Sequence, residues 1–220
     1  MVGTYGNGAN SFSSRHRLYT EWRLYFIILY DSNYMEYIEI FNQEQSEDIF
    51  QFLLGKEYEY HKPYKRFGKM AKVPRGQASY TLNESIHYDY GVSGGSPVNE
   101  IMCDKLKSIT KTVNSKLQTN YNTILMNVYK DGKDCIGAHK DKETGWVENT
   151  GFATLAFGAV RKFNIVSDVN EILTQIPHKS GWIINMPCPL NHTNTHAVPS
   201  QPRVKTQRIS LTFREIKENG

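Results

Sequence analysis

The chain is short of cysteine and has no long apolar run, and both shortages exclude whole classes of protein. Its three cysteines are scattered and include no CxxC pair: Cys103, Cys135 and Cys188. This pattern argues against a disulfide framework or a thiolate zinc site and favours a reducing compartment. The longest apolar or aromatic run has seven residues, Leu24 to Tyr30, whereas a helix that spans a bilayer needs about 20. We therefore expect a soluble, intracellular protein with no membrane partner.

Length and charge leave many functions open. At 220 residues the chain is long enough for one sizeable core, and one domain is the first expectation. A net charge of +4 and a pI near 8.8 are compatible with a polyanionic partner. Aromatic residues make up 12% of the chain and include 14 tyrosines, whose rings can stack on bases or fill a core. Composition thus allows nucleic-acid binding without requiring it.

The start of the chain differs in texture from the rest. Residues 1–16 are rich in Gly, Ser and Asn and have no sustained periodicity, which is typical of disordered segments. Met35 stands just before a strand-like run from Tyr37 to Phe41. We therefore predict a disordered or atypical extension over residues 1–34 and a single domain over residues 35–220.

Two segments carry the marks of helices. The first begins near Ser46, has acidic residues in its positive first turn and ends before Gly55, a suitable C-cap. The second has Ser96 and Pro97 as its N-cap and first position. Its apolar residues recur every three or four positions: Val98, Ile101, Met102, Leu106, Ile109, Val113 and Leu117. The spacing predicts a short helix and a longer amphipathic one.

From Thr123 onward, short β-rich runs replace the helical pattern. The runs are ILMNVY, TLAF, KFNIV, GWIINM and RISLTF, and turns of Gly, Asn, Pro and Asp separate them. Many short strands divided by turn residues are typical of a β-sandwich or barrel. The chain is therefore predicted to be α+β and mainly β.

An HxD motif is the first cluster that carries chemistry, and it consists of His139, Lys140 and Asp141. In extended backbone the first and third side chains point to the same side, so an imidazole and a carboxylate converge while Lys140 turns away. These two groups make half of a metal site. An alternative interpretation is a surface strand with a hydrogen-bonded His–Asp pair.

A second cluster, NHTNTHAVP, contains His192 and His196 and follows the strand-like GWIINM, which places it at a strand end or in a loop. Either histidine can supply a third ligand. Two histidines and one carboxylate on one face of a cation leave open positions for a cosubstrate and dioxygen, as in non-haem iron(II) oxygenases. A closed zinc site would need a fourth protein ligand.

In the third cluster, from Arg208 to Arg214, apolar and polar residues alternate, so one strand face is apolar and the other cationic. A guanidinium that stays charged in a pocket suits a dicarboxylate such as 2-oxoglutarate. The alternative is a half-buried strand with solvated arginines. Straight strand would separate the two Cα atoms by roughly 20 Å. Both arginines therefore reach one small ligand only if the strand curves or the side chains lean inward.

The three clusters, in this order, resemble the AlkB family of Fe(II)- and 2-oxoglutarate-dependent dioxygenases. NVYKDGKDCIGAHKDKE, from Asn127 to Glu143, is similar to the family's NxYxDGxDxIGxHxDxE, and RISLTFREI, from Arg208 to Ile216, is similar to its RxNLTFR. FGKMAKVPRGQASY, from Phe67 to Tyr80, is similar to the FGK and VPRxQ stretch of the branch that repairs duplex DNA. The resemblance runs from about Phe67 to Ile216.

The resemblance implies a double-stranded β-helix, or jelly roll, with flanking helices. It implies that the catalytic iron(II) is held by His139, Asp141 and His196. His196 is favoured over His192 because AVP follows it, like the family's HxxP, and because it lies twelve residues before Arg208. The family's contacts to 2-oxoglutarate fall on Asn127, Tyr129, Arg208, Thr212 and Arg214.

For the substrate, the resemblance implies a pocket that holds a base flipped out of its stack. Tyr90, which stands where relatives have Phe or Trp, and the ring of His139 are candidates to sandwich it. Glu143 matches an acidic residue that reads the base edge, while Lys142 replaces an acid found in some relatives. Phe67 corresponds to a residue that wedges into the duplex, with ordinary packing as the alternative. The full set of expected substrate contacts is Phe67, Gly68, Lys69, Arg75, Tyr88, Asp89, Tyr90 and Glu143.

The implied function is oxidative demethylation of 1-methyladenine and 3-methylcytosine in DNA, with Fe(II) as cofactor and 2-oxoglutarate and O2 as cosubstrates. Lysines and arginines scattered from Lys62 to Arg75 suit phosphates, with a solvated surface as the alternative. Three other interpretations stay open: an RNA demethylase, a lesion-binding module without turnover, and hydroxylation of a protein or small molecule by the same fold. We expect the protein to act as a monomer on nucleic acid.

Overall fold

Two β-sheets, a two-stranded hairpin and three helices account for the regular structure in the described part of this computed structural model. The described residues are 15–16, 26–30, 33–60, 63–66, 69–89, 97–167, 169 and 171–218. Its helices are α1 (Gln43–Leu54), α2 (Asp104–Leu117) and α3 (Cys188–Thr193). Its strands are β1 (Arg15–His16), β2 (Phe26–Tyr30), β3 (Asn33–Glu39), β4 (Glu59–Tyr60), β5 (Pro63–Arg66), β6 (Lys69–Lys72), β7 (Gly76–Thr81), β8 (Asn99–Ile101), β9 (Thr123–Tyr129), β10 (Ile136–His139), β11 (Phe152–Gly158), β12 (Arg161–Val166), β13 (Ile172–His178), β14 (Trp182–Met186), β15 (Thr195–Val198) and β16 (Arg208–Arg214).

The large sheet has the strand order β1-β2-β3-β14-β11-β16-β9-β7-β4, with β8 paired to β7. The small sheet has the order β10-β15-β12-β13, and β5 and β6 form a separate hairpin. One core cluster joins Phe152 and Ile184 of the large sheet to Phe163 and Ile165 of the small one. The two sheets therefore pack face to face. The predicted α+β, mainly β jelly roll is confirmed.

A second core cluster lies on the other face of the large sheet, under α1 and α2. It joins Leu53 of α1 and Leu106 of α2 to Met126 and Leu211 of the central strands. Each of these four side chains is fully buried. The helices thus cover the outer face of the large sheet and leave its inner face to the space between the sheets.

The helix predictions are confirmed in kind but not in every boundary. α1 starts earlier than predicted, because Asn42 caps it in a reciprocal pair with Gln45. The prediction that α2 begins at Ser96 and Pro97 was wrong. Residues 99–101 form β8, parallel to β7, and the Met102 amide donates to the Thr81 carbonyl. Backbone pairing with β7 takes precedence there over the helical spacing of the side chains.

Part of the predicted extension belongs to the large sheet. β2 pairs antiparallel with β3, and β1 pairs with β2. Strand structure is therefore present within residues 1–34 wherever the chain is described there. The proposed boundary at residue 34 stays a prediction. Among the described helices, none has the length and apolar character needed to cross a bilayer.

Side chains on β9 and β16 alternate strictly between the two faces of the large sheet. On β16, Ile209, Leu211 and Phe213 join the helix-covered core. The intervening residues line a cavity between the sheets: Arg208, Ser210, Thr212 and Arg214. The predicted alternation of this strand is confirmed, and it supplies one wall of the site.

Candidate active site

Two neighbouring strands of the small sheet bring together the histidines of the predicted triad. β10 pairs with β15 so that His139 and His196 stand directly opposite each other, with ring centroids 4.3 Å apart. Asp141 follows the end of β10, and its Oδ1 lies 3.4 Å from His139 Nε2 and 3.7 Å from His196 Nε2. His196 lies within a strand rather than in a loop or at a strand end, because its segment also pairs with β12.

Hydrogen bonding and burial leave both imidazoles suited to bind a cation. His139 Nδ1 lies 2.9 Å from the Gly137 carbonyl oxygen. Since a carbonyl only accepts, Nδ1 carries a proton, and Nε2 is the ring nitrogen that faces Asp141. Burial and the neighbouring His139 ring lower the pKa of His196 to about 3. His196 is therefore neutral at physiological pH.

The Asp141 carboxylate divides its two oxygens between different partners. Burial alone would raise its pKa, but the Arg214 guanidinium and the two histidines hold the pKa well below its usual value. Oδ2 accepts from Arg214 Nε at 3.2 Å and also from Arg214 Nη2. Oδ1 is the oxygen that faces the two imidazoles. An ionised carboxylate thus presents one oxygen to the centre of the triad.

The donor set fits iron(II). One ligand atom from each of His139, Asp141 and His196 lies within 4.8 Å of the others. Two imidazole nitrogens and one carboxylate oxygen on one side of a cation are the facial triad of non-haem iron oxygenases. These three residues contribute no thiolate, and zinc thiolate chemistry is not expected at them.

A cavity of about 660 Å³ adjoins the triad between the two sheets. It is lined by the predicted 2-oxoglutarate residues: Asn127, Tyr129, Arg208, Thr212 and Arg214. Arg208 and Arg214 both reach the cavity, although they begin and end the same strand. Arg208 is 1% exposed, and its Cζ lies 5.0 Å from the centroid of the Tyr129 ring.

Arg208 is oriented by a buried histidine that the sequence analysis missed. Arg208 Nη2 donates to His178 Nδ1 at 3.1 Å, and His178 Nε2 lies 2.9 Å from the Trp182 carbonyl oxygen. Since arginine only donates and a carbonyl only accepts, His178 is neutral with its proton on Nε2. Burial and the Arg208 charge lower the pKa of His178 well below its usual value. His178 ends β13 and is fully buried.

Arg208 also has unmet hydrogen-bonding capacity. Its Nε and Nη1 atoms are buried and have no hydrogen-bond partner among the described residues. A buried charged donor without a partner is costly. An anionic group in the cavity would satisfy it, and a carboxylate matches the fork of guanidinium donors. This arrangement fits 2-oxoglutarate.

Asn127 is held in one orientation by two neighbours on the inner face. Its Oδ1 accepts from Arg75 Nε at 2.8 Å and from Gln77 Nε2 at 3.2 Å. Because its acceptor is used, Asn127 can offer a ligand its Nδ2 donor. Arg75, expected at the phosphates, is instead 9% exposed and is engaged with Asn127. Gln77 lies opposite Asn127 on β7, and its polar position among apolar neighbours is the sequence signal for it.

The expected substrate residues are placed in several ways. Tyr88 lines the cavity, and its hydroxyl accepts from Trp146 Nε1 at 2.8 Å and donates to the Lys142 carbonyl at 2.9 Å. Tyr88 thus anchors the segment after Asp141. Lys69 and Asp89 are exposed. Three further predicted contacts lie outside the described residues: Phe67, Gly68 and Tyr90.

Glu143 lies beside the triad but is engaged with α3. Its Oε1 accepts from Asn191 Nδ2 at 2.7 Å, and its Oε2 lies 2.6 Å from His192 Nε2. The carboxylate is about one-third exposed. Its role in reading the base edge stays a prediction.

Comparison with known proteins agrees with this geometry. The chain matches the model of the 2OG-Fe(II) oxygenase superfamily over residues 34–214. It is 31% identical over 192 residues to the DNA oxidative demethylase ALKBH2 of Homo sapiens, which covers 82% of this chain and 72% of the human protein. The ALKBH2 of Mus musculus is 30% identical over 198 residues and is covered over 79% of its length.

More distant matches bear on the fold and on part of the chain. The alkB homolog 3 of Rattus norvegicus, an alpha-ketoglutarate-dependent dioxygenase, is 29% identical over 118 residues, covering 48% of this chain and 40% of that protein. The solved structure of OsALKBH1 superposes with a TM-score of 0.57 at 17% identity, covering 82% of this chain and 96% of that one. At this identity the structural likeness shows the fold alone.

Proposed function

Because the chain belongs to the 2OG-Fe(II) oxygenase superfamily and to its AlkB family, we propose that it repairs DNA by oxidative removal of alkyl groups from bases. The proposed substrates are 1-methyladenine and 3-methylcytosine. The chain is an Fe(II)- and 2-oxoglutarate-dependent dioxygenase. Its relatives ALKBH2 of Homo sapiens and of Mus musculus are named DNA oxidative demethylases, which supports the choice of polymer.

One observation carries the proposal most directly. His139, Asp141 and His196 converge beside a cavity in whose wall Arg208 has two buried donors without a partner among the described residues. A metal site next to an anion site is the arrangement that joint binding of iron(II) and 2-oxoglutarate requires. Neither feature alone would distinguish an oxygenase from a structural metal site or a buried arginine.

The proposed division of labour assigns each group one task. Iron(II), when bound, would supply oxidation of the methyl carbon: one oxygen atom of O2 would go to that carbon and the other to succinate as 2-oxoglutarate loses CO2, after which formaldehyde would leave and the base be restored. His139 and His196 bind as neutral imidazoles, and Asp141 binds through Oδ1 while Arg214 holds Oδ2. The protein's own contribution is positioning and exclusion of water.

The cosubstrate is proposed to lie along the inner face of the large sheet. Arg208, oriented by His178, would bind one carboxylate, and Asn127 would donate through Nδ2. The phenol of Tyr129 adds a further polar contact on the same strand face as Asn127. These residues make the cavity selective for a small dicarboxylate.

The base is proposed to enter on the side of the triad that carries Glu143. Glu143 follows Asp141 closely and is about one-third exposed, so its carboxylate can accept a hydrogen bond from an exocyclic amine. Tyr88 keeps the segment between them in place through the Lys142 carbonyl.

The test is anaerobic reconstitution with iron(II), followed by air, 2-oxoglutarate and oligomers that carry 1-methyladenine or 3-methylcytosine. Duplex DNA, single-stranded DNA and RNA are compared, and mass spectrometry and succinate are the readouts. His139→Ala is the inactive variant. His87→Ala is its matched control, because His87 is exposed and was not assigned to the site.

We expect the methylated DNA to lose the mass of one CH2 group, in a reaction that needs 2-oxoglutarate, survives in His87→Ala and disappears in His139→Ala. Faster turnover of RNA than of either DNA would overturn the choice of polymer. Succinate without any change in an oligomer would contradict the proposed substrates. Binding of methylated oligomers with neither product would favour the lesion-binding module.

A further inference from the structure

We propose that Glu143, Cys188 and His192 form a second cation site that binds Zn²⁺ or a similar thiophilic divalent metal ion. Cys188 and His192 are four residues apart in α3, so their side chains lie on the same face of that helix. Glu143 approaches this face from the segment after Asp141. Imidazole, thiolate and carboxylate are the three protein ligand types of zinc.

Two of the three distances between the donor atoms are close to those around a tetrahedral ion, and the third is shorter. Metal bonds of roughly 2.0 Å to nitrogen and oxygen and 2.3 Å to sulfur place tetrahedral ligands about 3.3 to 3.6 Å apart. Cys188 Sγ lies 3.4 Å from His192 Nε2 and 3.8 Å from Glu143 Oε2. His192 Nε2 and Glu143 Oε2 are 2.6 Å apart in a hydrogen bond. Two bonds to one metal ion would replace that hydrogen bond after a small opening.

The surroundings orient the three ligands and leave a way in. Asn191 Nδ2 donates to Glu143 Oε1 at 2.7 Å, which directs Oε2 toward the other two donor atoms. Such outer contacts fix the orientation of metal ligands. Cys188 is 6% exposed, whereas the His192 side chain is 58% exposed. A cation can therefore reach the site from solvent past His192, and water can complete a fourth position.

The sulfur ligand separates this site chemically from the iron triad. His139, Asp141 and His196 offer only nitrogen and oxygen, whereas Cys188 offers sulfur, as a thiol that donates to Glu143 Oε2 and would lose its proton on binding a metal ion. Soft thiolate ligands favour zinc and other thiophilic ions, whereas two histidines and one carboxylate suit non-haem iron(II). Asn191 joins the two sites, because it also accepts from the Asp141 amide at 3.1 Å and donates to the Asp141 carbonyl at 3.0 Å.

The first experiment measures binding of Co²⁺ as a spectroscopic substitute for Zn²⁺ in the full chain. A thiolate ligand gives cobalt a charge-transfer absorption band, which the iron triad cannot produce because it has no sulfur. We expect the band in the unaltered protein and in Cys103→Ser, the matched cysteine control. We expect it to be lost in Cys188→Ser, and Zn²⁺ to bind at least about tenfold more weakly in His192→Ala.

Several results would overturn the proposal. The first is the absence of a thiolate band in the unaltered protein, and the second is a band that persists in Cys188→Ser. The third is an unchanged Zn²⁺ affinity in His192→Ala. His192 is exposed, so this variant is expected to fold and the test does not depend on the buried Cys188 alone. Neither readout involves turnover, so these outcomes are separate from the fate of the proposed function.

A consequence for activity rests on the proposed function. A metal ion that takes the Glu143 carboxylate withdraws it from the entering base. Added Zn²⁺ should therefore slow demethylation in the iron-loaded enzyme, and Cys188→Ser should resist this inhibition by about tenfold in Zn²⁺ concentration. Equal inhibition of both proteins would refute the coupling, whereas absence of any demethylation would contradict the proposed function and leave the cobalt result standing.

Discussion

The two faces of the central strands β9 and β16 differ in the polarity of the side chains that they bury. The outer face is apolar and packs under α1 and α2, with Met126, Leu211 and Phe213 fully buried. The inner face of the same strands carries buried polar and charged groups, including Asn127 and Arg208. The outer face follows the ordinary preference for buried apolar groups, and the inner face departs from it at considerable cost. The residues proposed to bind the cosubstrate lie on the inner face, where polar and charged groups are buried.

The largest effect is expected from removal of the inner-face carboxylate. Asp141→Ala removes a proposed iron ligand and an ion-pair partner of Arg214, which is 3% exposed. We expect no detectable succinate formation and, because the buried Arg214 charge loses its ion pair with Asp141, a fall of about 3–5 kcal/mol in the free energy of unfolding of the metal-free protein. Urea denaturation measures the second effect. Glu148→Ala, which breaks the exposed pair with Lys217, should change stability by less than about 1 kcal/mol, and similar losses in both variants would contradict the comparison.

The outer face should respond in stability alone. Leu211→Ala leaves a cavity under the helices, and we expect it to lower the free energy of unfolding by about 2–5 kcal/mol. The folded fraction should keep its affinity for iron(II) and its turnover, since the Leu211 side chain points away from the cavity. The test is to measure turnover and to divide it by the folded fraction, which urea denaturation gives. Loss of iron binding without loss of stability would show that the two faces are not separable.

A smaller effect is expected from changes to His178, which orients Arg208 on the inner face. His178→Leu removes the acceptor of Arg208 Nη2, and we expect the KM for 2-oxoglutarate to rise about tenfold with little change in kcat. His178→Asn, which keeps one acceptor and one donor, should recover part of the affinity. The two constants are measured by succinate release at varied 2-oxoglutarate. A fall in kcat alone would mean that His178 acts on the chemistry and not on the binding of the cosubstrate.

The smallest effect concerns pH. The folded-state pKa of His178 lies well below its unfolded value of about 6.5. The contribution of neutral His178 to the free energy of unfolding is therefore fully present above about pH 6.5. It is lost as the pH falls from there toward the folded pKa, because the unfolded chain binds a proton that the folded chain does not. His196, with a folded pKa of about 3, acts in the same direction in the metal-free protein. The slope is at most about 1.4 kcal/mol per pH unit for each group.

The measurement is urea denaturation of the metal-free protein at roughly pH 7 and pH 5. In His178→Leu the dependence on pH should be shallower, although the variant is less stable at both values. An unaltered slope in that variant would exclude His178 as a contributor.

Local patterns were enough to predict several strands and the alternation of β16, whereas the choice of His196 and the assignment of the 2-oxoglutarate residues rested on the resemblance to the AlkB family. The alternation from Arg208 to Arg214 places charged and apolar residues on opposite faces, as the structure confirms. The HxD spacing suggested that His139 and Asp141 lie on one side, although Asp141 follows the end of β10. The alternation on β16 depends on residues two positions apart, and the backbone geometry of a strand determines it directly.

Features that depend on distant partners were not predictable in this way. β13 was not predicted because much of it is exposed and it contains Pro177, which is tolerated since β13 is an edge strand of the small sheet. The role of His178 depends on Arg208, which lies on the other sheet. The early part of α2 was predicted wrongly because the sequence does not reveal that β7 offers its backbone to residues 99–101.

The pairing of β10 with β15 has a consequence for local motion. His139 and His196 are far apart in sequence yet lie directly opposite each other on these two strands. A cation bound by both side chains would cross-link the two strands, and it would stabilise the folded state by mass action. Backbone amides of β10 and β15 should then exchange with solvent deuterium more slowly when iron(II) is bound. Hydrogen exchange would thus report metal binding as less frequent local opening of the small sheet.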